Sequence, residues 1–260
     1  MTAQLDLCDT GPRLRPHPAV YPAAVLDAFR RLVPKGLVLD PFGGTGRIGR
    51  IGPQWRAISS ELEPEWAGQG YRNRCALCVV ADARHLPFAT GSIPAIATSP
   101  AYGNRMADHD ASQLRVASGE GLLRSDETRA TYTSRLGRRL TSGNAGEMLW
   151  GDGRPGDPLR NGDAYRALHA AVWTECLRVL RPGGALVVNC KDHLRDGHNG
   201  GSGPRRQAVC EWHWETLRWL GFTLTESVLL PLQGDRNTVR MRAAGLTTID
   251  HEEVTAWRKP

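Results

Sequence analysis

A buried strand that runs directly into a glycine-rich turn is the feature that most limits what this chain can fold into. The apolar segment 37–40 ends at an aspartate, and Gly43, Gly44 and Gly46 follow before a segment of helical character at 47–54. Missing side chains let the backbone approach a ligand closely, and free amides at a helix start favour an anionic group. The turn therefore predicts an α/β protein with a ligand site at the end of its first strand.

Strands and helices alternate along most of the chain. Strands separated by helices imply right-handed crossovers and a mostly parallel sheet. The last strands, within 222–230 and 238–257, are expected to form an antiparallel hairpin. Further strands are predicted at 57–61, 77–82, 93–99 and 185–190, and helices at 22–32, 64–72, 163–180 and 207–220.

Three segments interrupt this alternation. Residues 103–162 lose all periodicity, which predicts an irregular insertion, a candidate target-recognition loop, within a single domain over 1–260. Arg181-Pro182-Gly183-Gly184 is expected to stop the preceding helix, because glycine favours the position past a helix end. The glycine-rich segment 193–206 is expected to be flexible.

The composition is that of a globular protein with a basic surface. An apolar fraction of 40% suffices for a large core, and no apolar run approaches the roughly 18 residues needed to cross a bilayer. The first residues lack the order of a signal peptide, so we expect a soluble, cytoplasmic protein with no membrane partner. The formal net charge of +6 permits a polyanionic partner without demanding one.

Cys75 and Cys78 have a spacing that occurs in metal and redox sites. No second Cys or His pair stands at zinc-ligand spacing, however. Cys78 also falls inside the apolar run 77–81, where a thiol behaves as a small core hydrophobe. His109, between two aspartates, is better explained as part of a solvated polar loop. We therefore predict no metal site.

Acidic residues stand at the ends of the first three strands. The glycine turn has neither the ending of a P-loop nor the dinucleotide spacing. Asp40 is placed to accept from an ammonium group, which nucleotides lack and methionine-type cofactors carry. Glu61 ends the second strand, where an acid commonly binds paired ribose hydroxyls, with Glu63 and Glu65 as competing carboxylates. Asp82 either receives an adenine amino group or merely caps the third strand.

Ser99-Pro100-Ala101-Tyr102 follows the fourth predicted strand, beside the glycine turn in a parallel sheet. A polar side chain and a backbone carbonyl that accept the hydrogens of an aryl amine would pull its nitrogen toward tetrahedral geometry. Tyr102 would stack on the ring, and catalysis would be mainly orientation. The alternative is an ordinary Ser-Pro turn with a packing tyrosine.

These segments resemble the cofactor loop and catalytic turn of the DNA amino-methyltransferases, which modify adenine N6 or cytosine N4. The similarity lies in Asp40-Pro41-Phe42-Gly43-Gly44-Thr45-Gly46, in the turn at 99–102, and in His17-Pro18-Ala19-Val20-Tyr21-Pro22, which is similar to a further cofactor motif of that family. Their order matches the subgroup whose cofactor half comes first. The segment 99–105, with 148–151 later, resembles small DNA methylases of actinobacterial phages. Ala101 departs from the family, which has a second proline there.

The resemblance implies a class I S-adenosylmethionine-dependent methyltransferase fold, which is Rossmann-like, with a mostly parallel seven-stranded sheet. It implies S-adenosylmethionine as cofactor and DNA as partner with the target base flipped from the duplex, with restriction-modification as one of the biological roles open to such an enzyme. It implies Ser99, Pro100 and Tyr102 as catalytic residues, and Asn104 and Arg105 as substrate-binding candidates. The implied cofactor-binding residues are His17, Pro18, Tyr21, Asp40, Phe42, Gly43, Gly44, Thr45, Gly46, Glu61, Asp82 and Ala83.

Several alternatives stay open at this point. Serine in the turn favours cytosine N4 within the family, with adenine N6 as the other target. Methylation of RNA or of a protein glutamine, and a non-catalytic binding protein of the same fold, are the rival functions. The recognition sequence, the oligomeric state and the biological role, whether protection from restriction or another, stay open.

Two further groups of residues have weaker signals. A polar group at the end of the fifth strand either lines the pocket or caps the strand, and three tryptophans of the 207–220 helix are expected to pack in the core or an interface rather than stack on bases. These residues are Asn189, Lys191, Asp192 and His193, and Trp212, Trp214 and Trp219.

Overall fold

The computed structural model describes residues 21–103, 138, 140–148, 150, 162–195, 205–232 and 249–260. Its strands are β1 (Gly36–Asp40), β2 (Trp55–Glu61), β3 (Leu77–Val80), β4 (Ile93–Thr98), β5 (Leu180–Cys190), β6 (His193–Arg195), β7 (Arg205–Gln207), β8 (Thr223–Pro231) and β9 (His251–Arg258). Its helices are α1 (Ala23–Leu32), α2 (Pro64–Ala67), α3 (Asp163–Val179) and α4 (Val209–Trp219).

Seven of these strands form one sheet in the order β3-β2-β1-β4-β5-β9-β8. Strands β1 to β5 pair in parallel, and β9 lies antiparallel between β5 and β8. The reversal of strand order between β1 and β4 puts the carboxyl ends of these strands at a topological switch point. This strand order confirms the predicted class I methyltransferase fold and the predicted antiparallel pairing of the last strands.

Two hydrophobic clusters cover the two faces of the sheet. Alternate residues of a strand point to opposite faces, so Leu186 packs with Trp173 on the side of α3 and α4, whereas Val187 packs with Phe29 on the side of α1. Both faces are therefore buried, as a mostly parallel sheet requires.

Two predicted helices are shorter or tighter in the structure. The segment 47–54 forms a 3₁₀ helix over Arg47–Ile51, and the segment 64–72 divides into α2 and a 3₁₀ turn over Gly70–Asn73. Glycine is a poor helix former, and the second segment contains Gly68 and Gly70. A Cβ at Gly70 would lie 2.4 Å from Cys78 Sγ, so this turn packs tightly on β3.

The prediction that Arg181-Pro182-Gly183-Gly184 stops a helix is wrong. The helix α3 ends at Val179, and Leu180 already begins β5. Gly183 N donates to Lys259 O at 3.1 Å, and Lys259 N donates to Gly184 O at 3.0 Å. Gly183 and Gly184 therefore pair with Lys259, and these tertiary hydrogen bonds hold the segment within β5.

The remaining segments add detail near the site. Strands β6 and β7 pair as a small antiparallel ribbon within the segment predicted to be flexible. Within the predicted insertion, the described part contains a short 3₁₀ turn at Ala145–Glu147. Trp214 is buried as expected, but Trp219 is 84% exposed, so of the two expected roles, core packing is wrong for Trp219 and packing in an interface stays a prediction. None of the described helices has both the length and the hydropathy to cross a bilayer.

Candidate active site

A cavity of about 440 Å³ opens where β1, β2 and β4 end. It brings together most residues of the predicted cofactor loop and the predicted catalytic turn. Asp40 and Gly46 are described but do not line it, and His17, Pro18, Asn104 and Arg105 lie outside the described residues. The predicted residues that line it are Tyr21, Phe42, Gly43, Gly44, Thr45, Glu61, Asp82, Ala83, Ser99, Pro100 and Tyr102.

Asp40 is fully buried behind Tyr21. Its Oδ2 accepts from the Tyr21 hydroxyl at 2.5 Å, and its Oδ1 accepts from Thr98 Oγ1 at 2.6 Å and from Phe42 N at 3.1 Å. Burial raises the pKa of Asp40 to about 6, although these hydrogen bonds act to lower it. Asp40 thus fixes Tyr21 and the start of the loop, and its donors fill three of four lone-pair positions.

Two glycines of the turn are required by packing inside the protein. A Cβ at Gly43 would lie 2.0 Å from Ser59 Oγ and 2.9 Å from Ser60 O. Gly46 has a φ of +72°, and a Cβ there would lie 2.5 Å from the Cα of Gly70. The loop is therefore pressed against β2 and the neighbouring 3₁₀ turn, and Gly46 serves this contact rather than the cavity.

Cys75 and Cys78 support this packing. Cys75 is buried, and its thiol donates to the carbonyl of Gly46 at 3.1 Å. Burial raises the pKa of Cys75 to about 12 and also raises the pKa of the half-buried Cys78. Thiolate is the reactive and metal-binding form, so the two thiols behave as packing groups.

Glu61 lines the cavity at the end of β2. Its Oε2 accepts from Gly44 N at 2.7 Å, and its Oε1 accepts from Glu63 N at 3.0 Å. Burial raises the pKa of Glu61 to about 7, against the lowering effect of these two amides. The side chain is held in one position, facing the cavity, by backbone donors on both oxygens.

Asp82 lines the cavity two residues after β3. Arg84 Nη2 donates to its Oδ2 at 2.5 Å, and Arg84 N donates to its Oδ1 at 2.9 Å. These hydrogen bonds from Arg84 hold the pKa of Asp82 below its ordinary value. Asp82 is therefore an ionised acceptor whose position is set by its own loop.

Residues 143–146, within the predicted insertion, form another wall of the cavity. The buried Glu63 carboxylate anchors it by accepting from Thr141 N at 2.7 Å and from Asn144 Nδ2 at 2.9 Å. Arg138 donates to Glu63 at 2.7 Å and to Glu65 at 2.6 Å. Glu63 and Glu65 therefore do not compete with Glu61 for the cavity; they hold Arg138, Thr141 and Asn144 beside it. No sequence pattern indicated this contact across more than 70 residues.

Ser99 and Tyr102 of the turn form a polar cluster with the end of β5. Ser99 Oγ and the Tyr102 hydroxyl lie 2.9 Å apart, and Asn189 Nδ2 lies 3.0 Å from the hydroxyl and 3.3 Å from Ser99 Oγ. Asn189 Nδ2 also donates to Glu252 Oε2 at 3.0 Å. Because a carboxylate only accepts, it fixes the orientation of the amide. Burial raises the pKa of Tyr102 well above its ordinary value, so its hydroxyl stays protonated.

Lys191 places a positive charge at this end of the cavity. Its Nζ lies 5.5 Å from the ring centroid of Tyr102 and 3.8 Å from Glu252 Oε1. The ammonium therefore lies over one face of the Tyr102 ring. The predicted polar group after β5 is thus divided, since Asn189 and Lys191 line the cavity. Asp192 instead accepts from Cys210 N and Arg206 Nε, at 2.9 and 2.6 Å.

Residues far along the chain hold the backbone of the turn. The Tyr165 hydroxyl donates to Ala101 O at 2.5 Å, and Trp150 N donates to Gly103 O at 2.8 Å. No motif or spacing in the sequence predicts either contact. The one sequence feature related to them is the predicted helix start at 163, because this helix follows the insertion and carries Tyr165.

Comparisons with known proteins add limited information. No protein-family model matches the chain, and no curated protein matches its sequence. TrmN from Thermus thermophilus has a TM-score of 0.47 at 15% identity over 91% of this chain, which spans about half (48%) of TrmN. The N-methyltransferase NodS from Bradyrhizobium japonicum WM9, in complex with S-adenosyl-L-homocysteine, has a TM-score of 0.44 at 12% identity over 90% of this chain and 85% of its own.

The [4+2]-cyclase SpnF has similar scores: a TM-score of 0.46 at 14% identity, over 91% of this chain and 81% of its own. Similarities this low identify no substrate, and fold does not imply function. The strand order and the residues at the cavity therefore carry the functional argument.

Proposed function

We propose that the cavity binds S-adenosylmethionine and that the chain methylates an exocyclic amino group of a base in DNA. One observation carries the proposal: the glycine loop with Glu61 and the turn with Ser99 and Tyr102 open onto the same cavity. A cofactor held by the first would be adjacent to a substrate held by the second. Neither segment alone would indicate a methyltransferase site.

The residues of the cofactor end fit S-adenosylmethionine. The cavity volume of about 440 Å³ lies in the range of small-molecule sites. The Glu61 carboxylate suits paired ribose hydroxyls, and Asp82 suits an adenine amino group. Tyr21 lines the cavity in front of the buried Asp40, so direct contact of Asp40 with a cofactor ammonium would require Tyr21 to shift. When bound, the cofactor supplies an electrophilic methyl group.

The residues of the turn fit a planar amine. Ser99 Oγ and the carbonyl of Pro100 would accept the two amino hydrogens, which moves the nitrogen lone pair out of conjugation with the ring. The Tyr102 ring, held at its hydroxyl by Ser99 and Asn189, provides a fixed face for stacking. The nitrogen would gain the methyl group as the S–CH₃ bond of the cofactor breaks and S-adenosylhomocysteine is released, and it would then lose its proton to solvent, so orientation replaces a strong base.

Two features favour DNA and cytosine N4. The net charge of +6 is compatible with a polyanionic partner, and an amino group inside a duplex is reached only by flipping the base. Serine in the turn favours cytosine N4, through the resemblance to the DNA amino-methyltransferases. Function in restriction-modification belongs to the same proposal.

The proposal is tested by methyl transfer from labelled S-adenosylmethionine to unmethylated duplex DNA, followed by nucleoside mass spectrometry. We expect N4-methylcytosine from the unmodified chain and none from Ser99→Ala, whose cofactor binding should persist. N6-methyladenine would change the target base and keep the class. Transfer to RNA or to a protein glutamine alone, or to none of the three by a folded chain that binds the cofactor, would overturn the proposal.

A further inference from the structure

A chain of hydrogen bonds from three buried side chains ends at the catalytic turn. Trp173 Nε1 donates to His213 Nδ1 at 3.0 Å, His213 Nε2 lies 2.9 Å from the Tyr165 hydroxyl, and this hydroxyl donates to Ala101 O at 2.5 Å. Trp173 and Tyr165 lie on α3 and His213 lies on α4, and each is 0% exposed. Two helices are thus connected to the turn through polar groups inside the core.

The two end groups, the Trp173 indole and the Ala101 carbonyl, fix the direction of every hydrogen bond in this series. An indole N–H only donates and a carbonyl only accepts. His213 Nδ1 must therefore be unprotonated, its Nε2 carries the hydrogen, and the Tyr165 hydroxyl receives that hydrogen and donates its own to Ala101. Burial holds the pKa of His213 well below its ordinary value, which keeps the ring neutral as this arrangement requires. Each donor has one acceptor, so only one arrangement satisfies all groups.

The carbonyl of Ala101 belongs to the peptide that carries Tyr102. Pro100 has its φ fixed by its ring, but alanine has no such restraint. A hydrogen bond on the Ala101 carbonyl restrains the same backbone from outside. It acts between Ser99 and Tyr102, whose polar groups lie 2.9 Å apart in the cavity wall.

We propose that Trp173, His213 and Tyr165 form a positioning relay, which holds the Ala101–Tyr102 peptide so that Ser99, Pro100 and Tyr102 keep their arrangement. The inference rests on the proposed function for its catalytic meaning, and it assigns positioning roles to three residues outside the cavity. Hydrogen bonds in such a series polarise and strengthen one another. The bond to Ala101 acts directly on the turn, so its loss should disturb the position of the turn most.

Simple core packing predicts a different order of effects. If the three residues only fill space, Trp173→Phe should do the most harm, because it removes the most buried volume. If they position the turn, Tyr165→Phe should reduce kcat the most, because it removes the bond to Ala101 itself. The order of kcat losses and the order of losses in melting temperature are then opposite.

The kinetic test compares Tyr165→Phe and Trp173→Phe with the matched control Tyr71→Phe, which removes a hydroxyl from a 59% exposed tyrosine. We expect Tyr165→Phe to lower kcat about tenfold or more with KM and cofactor Kd nearly unchanged, because a small misplacement of reacting groups is costly. Trp173→Phe should lower kcat less and melting temperature more, and the control should change neither. Losses of kcat that follow the melting temperatures, or full kcat in Tyr165→Phe, would overturn the relay.

Backbone relaxation by NMR tests the relay without any activity. The amide order parameter of Tyr102 should fall from about 0.85, typical of rigid backbone, toward about 0.6 in Tyr165→Phe, with no change in Tyr71→Phe. A Tyr102 amide that stays rigid in Tyr165→Phe would overturn the relay. An unmodified chain that methylates no DNA but shows this loss of order in the variant would overturn the proposed function and leave the relay standing.

Discussion

The proposed cofactor end and the proposed catalytic end of the cavity are built in different ways. The cofactor end takes most of its residues from 41–83, and its key contacts are backbone amides on Glu61 and close packing of Gly43 on β2. The catalytic end has four consecutive residues whose positions depend on contacts with residues beyond 140. A short motif can therefore specify the cofactor end, whereas the catalytic end needs the completed fold.

The sharpest separation of the two ends is expected from Tyr102→Ala. Loss of the stacking face should lower methyl transfer about 100-fold, since stacking on an aromatic contributes roughly 1–3 kcal/mol per base and orientation adds to it. Cofactor affinity, measured by calorimetry, should stay nearly constant, because the cofactor end has its own contacts. Equal losses of both would show that the ends are not independent.

Gly43→Ala should damage the cofactor end. The new Cβ would lie 2.0 Å from Ser59 Oγ, and overpacking of this kind costs roughly 1–3 kcal/mol, which corresponds to a cofactor Kd weaker by about 5- to 150-fold when the cost falls on the binding conformation of the loop. Gly68→Ala is the matched control, because a Cβ there would meet its nearest neighbour at 3.5 Å. Unchanged cofactor binding in Gly43→Ala would contradict the close packing of the loop on β2.

Glu63→Gln should loosen the wall that the insertion gives to the cavity. An amide replaces the acceptor of Arg138, Thr141 and Asn144 and brings a donor toward other donors. We expect the cofactor Kd to weaken about tenfold, because hydrogen bonds to charged groups contribute roughly 1.5–3 kcal/mol. The matched variant Glu65→Gln, at a more exposed carboxylate, should have a smaller effect, and equal effects would exclude a special role for Glu63.

A smaller effect is expected from pH at Glu61, whose pKa is raised to about 7. The folded state without cofactor binds more protons than the unfolded state between about pH 4.5 and 7, so its stability should fall as pH rises through this range. Cofactor affinity should change in the opposite direction and increase about fivefold from pH 6 to pH 8, because the carboxylate accepts ribose hydroxyls better than the acid. Glu61→Gln should remove the affinity trend and the loss of stability between about pH 6 and 7, whereas Asp40, whose pKa is raised to about 6, keeps the loss of stability below pH 6, as measured by thermal unfolding and calorimetry.

Sequence patterns were sufficient for the sheet and for most of the cavity lining that comes from 41–83, but not for the wall at 143–146. The strand ends at Glu61 and near Asp82, and the polar turn at Ser99, follow from parallel strands ending at one edge. The segment 181–184 was misassigned because its hydrogen bonds go to Lys259, which no local propensity reveals.

The supports of the catalytic end could not be predicted for a similar reason. Glu252 reaches Asn189 from β9, and Tyr165 reaches Ala101 from α3, across 63 and 64 residues. Asp40 was expected to face the ligand, yet its burial behind Tyr21 depends on a side chain 19 residues earlier. Such contacts arise from tertiary packing, and no spacing in the sequence encodes them.

The most direct test of a single cavity with a cofactor end and a catalytic end is a crystal structure with S-adenosyl-L-homocysteine. We predict that the ribose hydroxyls contact Glu61 and that the sulfur faces the turn formed by Ser99, Pro100 and Tyr102. A ligand bound elsewhere, or one bound with its sulfur directed away from this turn, would contradict the account.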